Sequence, residues 1–190
     1  LQRITHPLLI RATAAKYLRR FNPALKLTLI EPNAEFVMCP MSNRVIHGGL
    51  SLRDITRPCA RLVTDFDIRW VRAYADDIDV DKREVRAGAA RIAYDRLIVA
   101  PGVDYNYDGI GGMGSPQAQA AMPHAWKAGE QTQRLKDMLY AMRPGGVVAM
   151  HIPKVPYRCP PGPYARASLL AYFLSANNPK GKLLVFDSNP

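Results

Sequence analysis

A single cysteine in a proline-rich loop constrains this chain more than any other feature. Cys159 follows the apolar run 147–150, and three of the next four residues are prolines. Pro163 suits the first turn of a helix, because no backbone N–H is needed there. Arg158 and a helix N-terminus both favour the thiolate form of the cysteine. The pattern therefore predicts a reactive thiol in a stiff strand-to-helix loop, or an idle cysteine in a turn.

The order of apolar and turn segments predicts an α/β fold. Strands that alternate with helices indicate a parallel sheet with helices on its faces, and an alternating stretch between them indicates an antiparallel insert. The predicted elements, in chain order, are a helix over 12–21, strands over 26–31 and 68–74, an antiparallel meander over 78–94, a strand over 96–100, one helical turn near 117–121, a helix over 127–142, a strand over 147–150, a helix over 164–176 and a strand over 183–186.

Charge and cysteine spacing exclude several classes of function. The net charge is +10, but the basic residues are scattered among acids and no aromatic-basic motif is present, so nucleic-acid binding is not expected. No apolar run is long enough to span a bilayer, and no signal peptide is visible. Cys39, Cys59 and Cys159 lack C-x-x-C spacing and the histidines are dispersed, so a structural metal is not expected either. Cys59 is interpreted as incidental.

Three strings carry a resemblance to one family. They are Thr28–Asn33 followed by Cys39, Ser42 and Asn43, then Pro123–Thr132, then Cys159–Tyr164. In this order and at this spacing they resemble the flavoprotein subunit of flavocytochrome c sulfide dehydrogenase. The resemblance implies a Rossmann-like FAD-binding lobe with an antiparallel insert over residues 1–122. It also implies a connecting helix and the first strand-helix-strand unit of a second dinucleotide-binding-like lobe over 123–190. We therefore expect the chain to hold only the opening part of such a protein.

The resemblance also assigns FAD-binding residues. Glu31 ends a strand, where an acid accepts hydrogen bonds from ribose hydroxyls. Cys39 matches the cysteine that forms a thioether to the 8α-methyl of the flavin, so a covalent link is expected. The remaining FAD contacts implied are Pro32, Asn33, Asn43, Ala75, Ala100, Pro101 and Gly102.

The resemblance further assigns the chemistry. Cys159 matches one cysteine of a redox disulfide that sulfide attacks, with electrons passing through FAD to a cytochrome c subunit in the periplasm. The second cysteine of that disulfide lies downstream in the family and has no counterpart here. Trp126 is interpreted as packing rather than catalytic. Two alternatives stay open: a sulfide:quinone oxidoreductase or other FAD-dependent disulfide reductase, and an inactive fragment of such an enzyme.

The first residues depart from the family pattern. The stretch 6–11 contains no glycine, although the family has a glycine-rich phosphate turn at this place. Glycines let the backbone approach a pyrophosphate, and Pro7 removes a backbone donor. The sequence therefore predicts poor pyrophosphate contacts, and a thioether at Cys39 would hold the flavin in spite of them.

Overall fold

The computed structural model describes residues 8–102, 104–157 and 159–190. Its helices are α1 (Leu8–Phe21), α2 (Ser42–Ile46), α3 (Ala60–Phe66), α4 (Pro116–Ala121), α5 (Glu130–Tyr140) and α6 (Gly162–Asn177), with 3₁₀ turns at Cys39–Met41 and Arg53–Ile55. Its strands are β1 (Thr28–Ile30), β2 (Glu35–Val37), β3 (Thr56–Pro58), β4 (Arg69–Val71), β5 (Asp77–Asp79), β6 (Glu84–Ala87), β7 (Ala90–Ala93), β8 (Val147–Ile152) and β9 (Lys182–Asp187). Within those ranges, no helix combines the length and apolar character needed to cross a membrane.

The chain forms two compact units, here called unit 1 and unit 2. Unit 1 combines the chain up to Met38 with Thr56–Ser115, and unit 2 combines Cys39–Ile55 with Pro116–Pro190. Each unit has its own hydrophobic core. The division at 122/123 that the resemblance implies stays a prediction.

Unit 1 is built around a short parallel strand pair. β1 and β4 pair in parallel, and the buried side chains of Leu29, Cys59 and Ile68 form the core against which α1 and α3 pack. β2 and β3 form an antiparallel pair. β5, β6 and β7 form the antiparallel meander predicted from the alternating pattern. Helix α1 begins one turn earlier than predicted, at Leu8.

The predicted strand over 96–100 is wrong. Residues 96–100 adopt no regular structure, and Leu97, Ile98 and Val99 are exposed. An apolar run becomes a strand only where a neighbouring backbone supplies hydrogen-bond partners. Within the described ranges the parallel pair β1–β4 gains no third strand, so this run is left outside the sheet.

Unit 2 contains a parallel strand-helix-strand arrangement. β8 and β9 pair in parallel over their full length, and α6 connects them along the chain. The apolar face of α6 packs into the core of unit 2, where Leu139 of α5 and Ile46 of α2 join it. The predicted proline in the first turn of α6 is confirmed. This geometry places the loop that carries Cys159 between the carboxyl end of β8 and the start of α6.

Candidate functional site

Cys39 lies against the backbone of Trp126 within unit 2. Cys39 begins a 3₁₀ turn, its side chain is half-buried, and its thiol donates a hydrogen bond to the Trp126 carbonyl at 3.3 Å. The Ser42 hydroxyl donates to the Cys39 carbonyl at 2.7 Å and closes this turn. The thiol therefore has a defined direction, because its neighbour in space comes 87 residues later in the chain.

Cys159 lies near the ring of the same tryptophan. A Cβ built on Gly162 would overlap the Trp126 indole and would lie 3.3 Å from the Cys159 sulfur. Cys159 is exposed and has a φ of +64°, a conformation that non-glycine residues rarely adopt. Its carbonyl accepts a hydrogen bond from the Gly162 amide at 2.9 Å. Arg158, expected to favour the thiolate, lies outside the described residues.

Trp126 thus brings together the two cysteines that the sequence singled out. Its carbonyl contacts Cys39 and its ring lies beside the glycine that packs near Cys159. The sequence interpretation of Trp126 as a packing residue agrees with this position, since its ring is half-buried and lies against Gly162. The two sulfurs are 120 positions apart in the sequence and share one residue in unit 2.

Arg166 is a residue of this site that the sequence interpretation missed. It is 7% exposed, and its guanidinium lies 5.1 Å from the centroid of the Trp126 ring. It donates hydrogen bonds to the side-chain oxygen of Asn43 and to the carbonyls of His124 and Ala125. One signal was available, because Arg166 is the single charged residue in the sequence of α6.

Cys59 belongs to unit 1 and has a different environment. It is 2% exposed, and burial together with the nearby Glu31 carboxylate raises the pKa of its thiol to about 11. A thiol that resists ionisation is a poor nucleophile. Cys59 is therefore a structural cysteine, and it is an internal reference for the reactivity of the other two.

Glu31 and its neighbours form a closed polar cluster in unit 1. Glu31 is 1% exposed, and its Oε1 accepts hydrogen bonds from the backbone and side-chain nitrogens of Asn33 at 2.9 and 2.6 Å. Its Oε2 lies 2.9 Å from Nη2 of Arg11, and Nη1 of the same guanidinium donates to the Ile30 carbonyl. The indole of Trp70 donates to the Glu31 carbonyl at 2.8 Å. Arg11 comes from the stretch that lacks the expected glycines.

The arrangement in unit 1 does not fit the adenosine end of FAD. A ribose hydroxyl needs an accessible carboxylate oxygen, but Oε1 is occupied by Asn33 and Oε2 is buried beneath Arg11. We therefore derive no reaction step through FAD in this chain. The other predicted contacts in unit 1 lie outside its helices and strands. The Pro32 carbonyl accepts a hydrogen bond from Arg72. Ala75 and Pro101 are exposed, Ala100 is half-buried, and Gly102 has a φ of +89°. Asn43 lies in unit 2 and is bonded to Arg166.

Asp187 occupies a comparable position in unit 2. It ends β9, as Glu31 follows β1, and the Tyr164 hydroxyl donates to it at 2.7 Å. This bond raises the pKa of Tyr164 to about 12 and lowers the pKa of Asp187 below its usual range. An acid that ends the second strand of such a unit contacts the nucleotide ribose in dinucleotide-binding folds. Here Tyr164 of the same unit donates a hydrogen bond to Asp187, and the loop between β8 and α6 contains prolines where such folds have a glycine-rich turn.

Comparison with known proteins identifies the family. Residues 132–190 match the family model described as the central part of the sulfide dehydrogenase [flavocytochrome c] flavoprotein chain. The chain is also 53% identical over 34 residues to the sulfide dehydrogenase [flavocytochrome c] flavoprotein chain of Chlorobaculum thiosulfatiphilum, over 18% of this chain and 71% of that sequence. This chain belongs to the flavocytochrome c sulfide dehydrogenase flavoprotein family. The family that the sequence resemblance indicated is thereby confirmed.

This chain also matches a sulfide-quinone reductase, over more of its residues than the match of 34 residues just described. The chain is 32% identical over 139 residues to the sulfide-quinone reductase of Aquifex aeolicus strain VF5, which is 73% of this chain and 31% of that protein. The crystal structure of the sulfide:quinone oxidoreductase from Aquifex aeolicus matches with a TM-score of 0.67 and 28% identity, over 92% of this chain and 40% of that one. The mixed α/β fold is therefore that of a flavin-dependent oxidoreductase. The chain spans about a third of the length of this curated relative.

Proposed function

We propose that this chain serves sulfide oxidation, with Cys159 as the sulfur atom that reacts with the substrate. The single observation that carries this proposal is the convergence of Cys159 and Cys39 on Trp126 within unit 2. In the same proposal a flavin is linked covalently through Cys39, a cytochrome c subunit accepts the electrons, and the protein works in the periplasm. Membership of a family of sulfide dehydrogenase [flavocytochrome c] flavoproteins supports the flavin and the cytochrome partner, and the covalent link and the periplasm follow from the resemblance described above.

Among the three thiols, Cys159 is the most suitable for reaction with a soluble sulfur compound. It is exposed, while Cys39 is half-buried and Cys59 is buried. Its loop is held by prolines and by the bond from the Gly162 amide, so the sulfur meets a substrate without a large loss of conformational freedom. As a thiolate it attacks one sulfur of a polysulfide, the S–S bond of the polysulfide breaks, and the shorter polysulfide leaves with the electron pair. Cys159 then carries a persulfide. This exchange passes no electrons to an acceptor, so it tests the reactivity of Cys159 separately from the oxidation of sulfide.

Among the three thiols, Cys39 is the most suitable for anchoring a group inside the protein. Its thiol points at the Trp126 carbonyl from a turn that Ser42 closes. A thioether at this sulfur holds a flavin without help from unit 1, where Arg11 and Asn33 already occupy Glu31. The covalent link is thus the form of attachment that this chain's residues support.

A quinone is the second candidate acceptor. The longest match reported above is to a sulfide-quinone reductase rather than to a cytochrome-linked protein. Reduction of cytochrome c and of a soluble quinone analogue by the sulfide-treated protein discriminates between the two acceptors.

Two measurements on the expressed chain test the proposal. Incubation with FAD should give a protein that stays yellow after acid precipitation, and Cys39→Ser should lose this colour. Incubation with polysulfide should add about 32 Da, one sulfur atom, to the peptide that contains Cys159, and Cys159→Ser should abolish the gain. Sulfur on Cys39 or Cys59 instead of Cys159, or no gain at all, would overturn the assigned role of Cys159. A colourless protein would overturn the covalent flavin and would favour an inactive fragment.

A further inference from the structure

The Arg166 side chain joins three segments of unit 2. It lies in α6 one turn after the Cys159 loop, and its Nε donates to Asn43 Oδ1 at 3.0 Å, in the helix that follows Cys39. Nη2 donates to the Ala125 carbonyl at 2.8 Å and Nη1 to the His124 carbonyl. One guanidinium therefore connects the Cys39 segment, the Trp126 segment and the helix that begins after Cys159.

The bonds from Arg166 hold an uncommon backbone conformation. Ala125 is fully buried and has a φ of +47°, which costs an L-residue roughly 1–2 kcal/mol. Arg166 binds the carbonyls on both sides of the Ala125 amide, and the Gln131 side chain accepts from that amide at 3.0 Å. The direction of the next residue, Trp126, depends on this conformation. The carbonyl of Trp126 points to Cys39 and its ring to Gly162 as a result.

The planar shape of the guanidinium matters for this arrangement. Arginine presents several donors in a rigid fork and stacks on aromatic rings. Here the fork binds two carbonyls and one amide oxygen while the group lies 5.1 Å from the centre of the Trp126 ring. A lysine ammonium has a flexible stem and no plane. It cannot reproduce the three bonds and the stacking together.

We propose that Arg166 is a positioning residue that sets the reactivity of Cys39 and Cys159 together, by fixing Trp126 between them. The proposal rests on the roles given above to the two cysteines. It adds that neither thiol is set by its own loop alone, because Cys39 donates to the Trp126 carbonyl and Cys159 packs beside Gly162, which lies against the Trp126 ring.

The test measures the alkylation rate of each cysteine by iodoacetamide and mass spectrometry, without sulfide, polysulfide or flavin. In Arg166→Lys the Cys39 thiol loses its fixed acceptor, so its alkylation rate should rise about fivefold. The rate of Cys159 should change in the same variant, while that of Cys59 in unit 1 should not. The emission of Trp126, read in a Trp70→Phe background, should shift to the red.

A matched control separates positioning from general loosening. Leu170→Ala removes an apolar side chain that is 3% exposed in the same core and takes part in none of the Arg166 hydrogen bonds named above. It should destabilise unit 2 but leave the rate of Cys39 within about twofold of the parent. Equal rates in Arg166→Lys and the parent, or an equal rise in Leu170→Ala, would overturn the proposal.

A milder variant decides the question if Arg166→Lys does not fold. Asn43→Ala removes one bond to Arg166 and keeps the guanidinium, so the Cys39 rate should rise about two- to threefold. An unchanged rate would overturn the proposal. Because alkylation needs no sulfur substrate, a failure of sulfur uptake by Cys159 leaves this result unaffected.

Discussion

The buried pair of Arg11 and Glu31 gives the sharpest quantitative prediction. Arg11→Met keeps most of the apolar stem of the side chain and removes its charge. Glu31 is 1% exposed, so its carboxylate would remain buried with only the two Asn33 donors on Oε1. Oε2 would face no donor, because Arg11 is the cation that covers it.

The expected loss of stability follows from this geometry. Removal of one partner from a buried ion pair costs about 3–5 kcal/mol. The Asn33 bonds remain and the Arg11 side chain is 18% exposed, so we expect the lower end of that range, about 3 kcal/mol. For a chain of this size a loss of about 3 kcal/mol lowers Tm by roughly 6–12 °C. The double variant Arg11→Met/Glu31→Gln should recover about half of the loss, since no charge is left buried.

The assay is urea unfolding followed by the fluorescence of Trp70, in a Trp126→Phe background. Trp70 reports on unit 1 because its indole donates to the Glu31 carbonyl. A second reading adds ADP or FAD: the parent should gain no stability in unit 1, while Arg11→Met should gain some because Oε2 of Glu31 has lost its charged partner and is left to accept from a ribose hydroxyl. A loss below about 1 kcal/mol in Arg11→Met would refute the buried pair. An equal effect of the nucleotide on the parent would refute the claim that Arg11 closes the site.

Three further predictions concern single groups. The raised pKa of Cys59 means that its neutral form is favoured in the folded state. The free energy of unfolding should therefore fall as the pH rises from the usual thiol range towards about 11. In urea unfolding curves, Cys59→Ala should remove that fall. Tyr164→Phe should raise the pKa of Asp187 towards its usual range, since the tyrosine hydroxyl is the largest cause of its depression, and an NMR titration of the Asp187 carboxyl in parent and variant should show this rise. Gly162→Ala should cost about 1–3 kcal/mol because its Cβ would overlap a neighbouring indole, whereas Gly109→Ala, which meets nothing within 4 Å, should cost little.

The local structure of this chain was largely predictable. The helix over Glu130–Tyr140 follows from apolar residues spaced three and four apart, and the start of α6 follows from Pro163. The strands of the meander follow from their alternation. These features depend on neighbours within a few residues, which the sequence displays directly.

The partners of the functional candidates were not predictable. The sequence marked Glu31 as a free acid for a ribose, and the structure pairs it with Arg11. It left Arg166 unnoticed, because its place as the single charged residue of α6 does not show which acceptors it binds. The run 96–100 has the composition of a strand but no neighbouring strand to pair with in the described part of the chain.

The sequence by itself determined the longer helices, the antiparallel meander, the loop around Cys159 and the family, since all four are encoded in short strings. Only the tertiary structure decided that Cys39 and Cys159 share Trp126, that Arg166 holds that tryptophan and that Arg11 covers Glu31. The physical reason is that hydrogen bonds and close packing act over a few ångströms in space. The chain brings residues that are 20 to 120 positions apart to that distance only when its strands pair and its cores close.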